Sequence, residues 1–445
     1  MSPGWTTHPL LLPELLLTVS QFVDPVDAFD CVTVCKVWRD AFSHLLWTTV
    51  ALNQHEPPRN AIEENVHHFI ERNLTLVTIQ LSTHALTALP PGIWSAIEEC
   101  KNVRSLRLDY IRILNEQTES FWKACTALEK LELNHCWLTD PWNHAFPGSL
   151  PELQEIIFTN LVTQGGINES DQLHLVVVCP KLRSLCWKGS TFPIDELTSS
   201  PFDVEPLVYL DSLDVSGDIQ RGDIDRFLAT NPSHLKKLAI PGSWYDPLTA
   251  EKLERHFLTL QELDLTRHLH ADSKLLVTLL SKCEALTSFK AGVISATDIS
   301  WKESWKCADR LLTLHVYFDM GKLHHGAMSR QVFLCLSKLK SLQELNLAKR
   351  NGLSRSNRHM AQPIKLELDC GMDQLSTLRH MKRFYFGDLS TGMTMKEVEW
   401  IKENWLMLES IQGTFNEDPD LNEQMIELFR RQNMRFSRKQ KIDNL

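Results

Sequence analysis

Eleven cysteines and eighteen histidines are the residues of this chain whose side chains could do catalytic or metal chemistry. A thiolate or an imidazole becomes a site when its partners stand at a fixed spacing, as in C-x-x-C or an H-E-x-x-H helix. Neither motif occurs, and neither does a G-x-S-x-G elbow or a G-x-x-x-x-G-K-[ST] phosphate loop. His67-His68 and His324-His325 are adjacent in sequence, so on regular structure they point different ways and do not chelate together. Cys100, Cys125, Cys179 and Cys283 each stand three residues ahead of an apolar residue of a recurring motif. Other copies place Asn73, Pro232, Phe257, Ala308 or Leu339 there, which no ligand set tolerates. These thiols are expected to be small buried packing groups. No catalytic residue, metal or cofactor is expected, and the chain reads as a non-enzyme.

The recurring motif is L-x-x-L-x-L. It runs from Leu76/Ile79/Leu81, Val103/Leu106/Leu108 and Leu128/Leu131/Leu133 to Leu342/Leu345/Leu347, Met381/Phe384/Phe386 and Leu408/Ile411/Gly413. Thirteen copies start 25 to 31 residues apart, with one interval of 39. Alternation in the L-x-L pair puts both apolar residues on one face of a short strand. Stretches such as residues 119–124 and 274–282 carry helical patterns that return the chain to the next strand. The fold class expected is therefore α/β, a curved parallel sheet with outer helices. The period and the best copy, Leu128 to Asp140 with Cys136 inside it, resemble the cysteine-containing leucine-rich repeat. Residues 51–420 are assigned to this solenoid, with a long basic insertion near 350–363. Residues 421–445 are assigned to a capping helix, with Leu421, Met425 and Phe429 on one face, followed by a basic tail.

With 445 residues the chain is too long for one ordinary core, which agrees with a repeat array. A net charge of −10 gives no basic stripe for nucleic acid, and no apolar run reaches the roughly 18 residues that span a bilayer. The expected compartment is the cytoplasm or nucleus.

Residues 9–50 do not fit the repeat. Pro13 and Pro25 suit first helical positions, and a third helix is expected over about 35–45. Leu12-Pro13-Glu14-Leu15, then Asp24-Pro25 and Asp27, then Val34-Cys35-Lys36-Val37-Trp38-Arg39 and Leu46-Trp47 follow in order. This segment resembles an F-box, and its place before leucine-rich repeats resembles the fungal F-box/leucine-rich-repeat proteins. The resemblance implies docking to a Skp-type adaptor and through it to a cullin–RING ubiquitin ligase. Leu12, Pro13, Leu15, Leu16, Val34, Trp38 and Trp47 would then supply the adaptor contacts. Ala28 stands where the family usually has leucine, which implies weaker adaptor binding. The alternative is a non-ligase scaffold whose N-terminal helices only cap the solenoid.

A protein target would meet the strand residues that alternate with the leucines. One column reads Gln80, Arg107, Glu132, Ile157, Cys186, Asp214, Ala239, Asp264, Lys290, His315, Asn346 and Tyr385; a flanking column includes Asp109, Asn134, Thr159, Lys188 and Tyr317. Arg107, Ile157, Lys290, His315, Tyr317 and Tyr385 are the expected target contacts. Trp137 and Trp244 are expected on rim loops. The target itself is not encoded in any motif.

Overall fold

The computed structural model describes residues 13–20, 23, 25–46, 49–53, 77–139, 149–164, 178–189, 209–216, 228, 235–240, 250–266, 271–300, 304–321, 325–348, 362–387, 392–431 and 435–436. The described residues up to Gly189 form one compact unit and those from Tyr209 form a second. The expected array over residues 51–420 contributes residues to both units.

Three helices open the first unit: α1 (Pro13–Ser20), α2 (Pro25–Val34) and α3 (Lys36–Leu46). The first two begin on prolines, whose fixed φ and missing N–H cost nothing at that position. Leu16, Ala41 and Phe42 form the interior, with Val23, Cys31, Val32, Val37 and Trp38 packed against them. Trp38 stacks on Phe42 with ring centroids 5.2 Å apart. Each fully buried large side chain contributes about 1.5–3 kcal/mol, so this interior is small for an independent domain.

The sheet begins at β1 (Thr49–Asn53), parallel to β2 (Thr78–Ala88), so its first strand overlaps the end of the segment assigned to the helical module. There follow α4 (Pro91–Glu99), β3 (Ser105–Ile113), α5 (Asn115–Cys125), β4 (Lys130–Asn134), β5 (Trp137–Thr139), β6 (Glu155–Thr159), β7 (Val162–Gln164) and β8 (Ser184–Lys188). Ile79, Leu106, Leu131, Ile156 and Leu185 are successive Cα partners, as are Leu81, Leu108, Leu133, Phe158 and Trp187. All ten are buried. Equal register across strands is what a repeat of nearly constant length enforces.

From β3 onward the backbone of this unit turns left-handed after each inward pair, at Tyr110 (φ 59°), His135 (φ 52°), Asn160 (φ 50°) and Gly189 (φ 72°). Such a residue costs about 1–2 kcal/mol when it is not glycine. Local contacts offset that cost. The Tyr110 and His135 rings stack 4.7 Å apart and nearly parallel. The His135 and Asn160 amides donate to Thr159 and Lys188 carbonyls, each at 2.7 Å. Beyond the turn the chain resumes as a second parallel ladder: Arg112 of β3 faces Trp137 of β5, and Trp137 faces Val162 of β7. Trp137 therefore lies in a strand and not on the rim loop expected for it.

The second unit runs through β9 (Ser212–Ser216), β10 (Lys237–Ala239), α6 (Ala250–Leu253), β11 (Glu262–Asp264), α7 (Ser273–Lys282), β12 (Ser288–Ser295), β13 (Thr313–Asp319) and α8 (His325–Leu336). It continues with β14 (Glu344–Asn346), β15 (Arg383–Gly387), α9 (Met395–Asn404), β16 (Ser410–Gly413), α10 (Pro419–Arg430) and β17 (Arg435–Phe436). Leu213, Leu238, Leu263, Phe289, Leu314, Leu345, Phe384 and Ile411 are its aligned inward residues. Asp272 caps α7 by accepting from the Leu275 amide at 2.7 Å, and Thr394 with Glu397 forms a capping box on α9.

The C-terminal end of this unit differs from expectation. Helix α10 buries Met425, Ile426 and Phe429, but Leu421 is only half-buried, and β17 pairs with β16 beyond it. Arg435 of the expected tail is thus in a strand, and residues 437–445 lie outside the described residues. Most of the expected insertion, residues 349–361, is also outside them. The chain returns at Gln362, whose amide donates to Asp319 Oδ1 at 2.9 Å and whose carbonyl accepts from the Met320 amide at 2.8 Å.

Cys100, Cys125, Cys179 and Cys283 are buried behind the sheet. Burial pushes the Cys179 and Cys283 thiols up to about 12, which leaves them protonated and unreactive. Among the described residues no helix is long and apolar enough to cross a membrane.

Candidate binding surface

Residues that alternate with the inward leucines stand on the opposite face of each sheet, in three columns. In the first unit the column nearest the strand starts reads Ser105, Lys130, Glu155 and Ser184; the next reads Gln80, Arg107, Glu132, Ile157 and Cys186. The third reads Ser82, Asp109, Asn134, Thr159 and Lys188. Lys130 pairs with Glu155 at 3.1 Å.

Arg107 lies inside a polar cluster. Its Nε donates to Asp109 Oδ2 at 3.0 Å and its Nη1 pairs with Glu132 Oε1 at 3.1 Å. Asn134 Nδ2 donates to Asp109 Oδ1 and to Glu132 Oε1, both at 2.8 Å. The hydrogen bond to Asp109 is the main reason the guanidinium is held even further above its ordinary range. Two carboxylates already occupy this expected target contact. Ile157 is half-buried, and its register partners are Glu132 and Cys186.

The other four expected contacts lie in the second unit. Lys290 is half-buried on β12 beside His315. His315 is 9% exposed, and its Nε2 lies 2.7 Å from Glu344 Oε1. Arg383 joins Glu344 through Nη2 at 2.6 Å. Tyr385 is half-buried between Asn346 and Gln412; burial, with the Glu344 charge behind it, raises its hydroxyl. Tyr317 corrects the sequence reading. It is 4% exposed, and burial pushes its hydroxyl up to about 12. The end of β13 that carries it is tied to the returning chain at Gln362 and Pro363, so it is not an open strand end. Ala239, also expected at the surface, is buried.

On the helical module Leu15 and Val34 are exposed, at 47% and 61%, and Trp38 is half-buried. Leu16 is a second correction: at 1% exposed it fills the interior against Ala41 and Phe42, because successive helix positions face different directions. Pro13 opens α1, while Leu12 and Trp47 lie outside the described residues, as does Trp244.

Sequence reasoning missed the first column and its ion pairs, including Lys237 with Glu262 at 3.5 Å. The signal was present one residue before each second leucine of the motif. It also missed Arg112, whose guanidinium lies over the Trp137 ring at 5.4 Å. Among the described residues no group of three His, Cys, Asp or Glu side chains is placed to hold a metal ion.

Aligned inward leucines, a parallel sheet and helices on one side of it define a leucine-rich-repeat protein. No family model matches the chain, and no curated protein does. Among solved structures an internalin (inlF) from Listeria monocytogenes str. 4b F2365 is similar over 86% of this chain and 98% of its own, at 13% identity and a TM-score of 0.42. A score that low carries no argument, and the fold rests on the register and burial described above.

Proposed function

We propose that this chain is a non-catalytic substrate receptor of a Skp–cullin–F-box-type ubiquitin ligase. The observation that carries the reading is the division of labour in α1 to α3. Leu16, Ala41 and Phe42 close the interior, while Leu15 and Val34 stay exposed from the segments that resemble an F-box. Exposed large apolar residues on so small a module suit a partner surface. The repeat strands present rigid rows of polar and aromatic side chains for a target protein. Ubiquitin transfer belongs to other subunits, and the receptor acts by raising the effective concentration of target lysines. The chain works in the cytoplasm or nucleus, without nucleic acid or membrane.

The test is binding of the full chain to a purified Skp-type adaptor, measured by biolayer interferometry. Wild type should bind, and Leu15→Asp with Val34→Asp should abolish binding without lowering Tm. No wild-type binding at about 10 μM adaptor would overturn the reading and leave a repeat scaffold whose helices only cap.

A further inference from the structure

We infer that Arg112, Trp137 and Thr139 form a receptor for a carboxylate carried by an extended peptide segment of a protein partner. The three side chains belong to the second ladder of the first unit, where Arg112 and Trp137 are register partners. Leu138 is buried between Trp137 and Thr139, so those two point to the opposite face, the one on which the Arg112 guanidinium covers the Trp137 ring.

Each of the three holds a buried polar atom without a hydrogen-bond partner among the described residues: Arg112 Nε, Trp137 Nε1 and Thr139 Oγ1. An unmet buried donor raises the free energy of the unliganded protein, and a ligand acceptor that reaches it recovers that loss. Two of the atoms are obligate donors and the third is a hydroxyl that donates readily. A guanidinium over the indole, with the Thr139 hydroxyl on the same strand face, suits a carboxylate, whose two oxygens accept several hydrogen bonds.

The contrast with Arg107, five residues earlier on β3, sharpens the assignment. Arg107 is held by Asp109 and Glu132, whereas no carboxylate pairs with Arg112 among the described residues. The Arg107 cluster carries one more negative than positive charge, so it favours a basic group on the same partner. Asp109 lies three residues before Arg112, at most about 10 Å of chain and shortened by the left-handed turn at Tyr110, so one short peptide reaches both. Tyr110 and Val162, 42% and 46% exposed, supply apolar surface beside the site. The occupant is therefore a peptide with an acidic residue and a basic residue about three positions away.

This deepens the target-binding half of the proposed function and rests on it, but it does not involve the adaptor. The probe is an array of eight-residue peptides with a central Glu, Gln or phosphoserine and a Lys three residues to either side. Full-length chain should bind the Glu peptides at least about tenfold more tightly than the Gln peptides, as loss of a charge-assisted pair predicts. Arg112→Met, which keeps a stem over Trp137, should erase that preference; Trp137→Phe should reduce it; Lys181→Met, at the exposed ion pair with Glu152 outside the site, should leave it. Circular dichroism melting confirms that each variant folds. Equal binding of Glu and Gln peptides by wild type overturns the assignment, as does a preference that survives Arg112→Met. Preference for phosphoserine over Glu overturns the carboxylate as ligand. Adaptor binding, measured on the same preparations, separates failure of this site from failure of the ligase reading.

Discussion

Glu344 on β14 joins two neighbouring strands through one carboxylate: His315 Nε2 lies 2.7 Å from Oε1, and Arg383 Nε lies 2.8 Å from Oε2. Burial alone would raise this carboxyl, yet the bonds to His315 and Arg383 outweigh it and hold Glu344 below the usual carboxylate range. A depressed carboxylate contributes stability above its unfolded value, near 4.5, and that contribution is lost as pH falls through the lower folded value. Glu344→Gln should therefore lower stability by about 1–3 kcal/mol at pH 7, and the gap should narrow as pH falls below the ordinary carboxyl value of 4.5. Calorimetric melts from pH 7 to pH 3 measure this. A gap independent of pH would sink the idea.

The helical module separates surface from interior by adjacent residues. Leu16→Ala should destabilise the first unit by about 2–5 kcal/mol, and Leu15→Ala should change its stability little. Chemical denaturation followed by circular dichroism reads both. Equal effects would show that the two residues do not divide as described.

Thiol reactivity should follow burial. Iodoacetamide at pH 8 should modify half-buried Cys31, Cys35 and Cys186 first. Cys136, Cys179, Cys283 and Cys307, pushed up to about 12 by burial, should react only after unfolding. Peptide mass mapping over time distinguishes the groups, and early labelling of Cys283 would contradict the packing role.

Gly189 is the glycine of the left-handed column. Its φ is +72°, and an added Cβ would run into Asn160 Oδ1. Gly189→Ala should cost about 1–3 kcal/mol. The same change at Gly292, where a Cβ would meet nothing within 4 Å, should cost less. Paired urea melts test the difference.

The repeat was legible in sequence because burial repeats it: Leu106 and Leu108, Leu131 and Leu133, Leu314 and Val316 all point inward at one spacing. The second ladder was not, since three-residue strands such as Trp137–Thr139 are too short to show a period. Its cue was backbone geometry at Tyr110 and His135, residue types that do not announce a left-handed turn. Arg107 looked available because its two carboxylates are two residues and one repeat away, and the second relation appears only once the 25-residue offset is applied across strands. Tyr317 was misjudged because a position's face follows from periodicity but whether another segment covers that face does not; Leu16 was misjudged because adjacent helix positions face different ways and only packing shows which one turns inward.

The left-handed column also bears on how the protein responds to force. In the first unit β3 is sewn to the next repeat twice, once through β4 and again through β5. Pulling those repeats apart must shear both seams together. In the second unit β10 and β11 share three register pairs and no second seam among the described residues. Stretched from its ends, the chain should part at single seams such as this one, or at the two-pair seam of β16 and β17, before the twice-sewn repeats around Arg112 and Trp137.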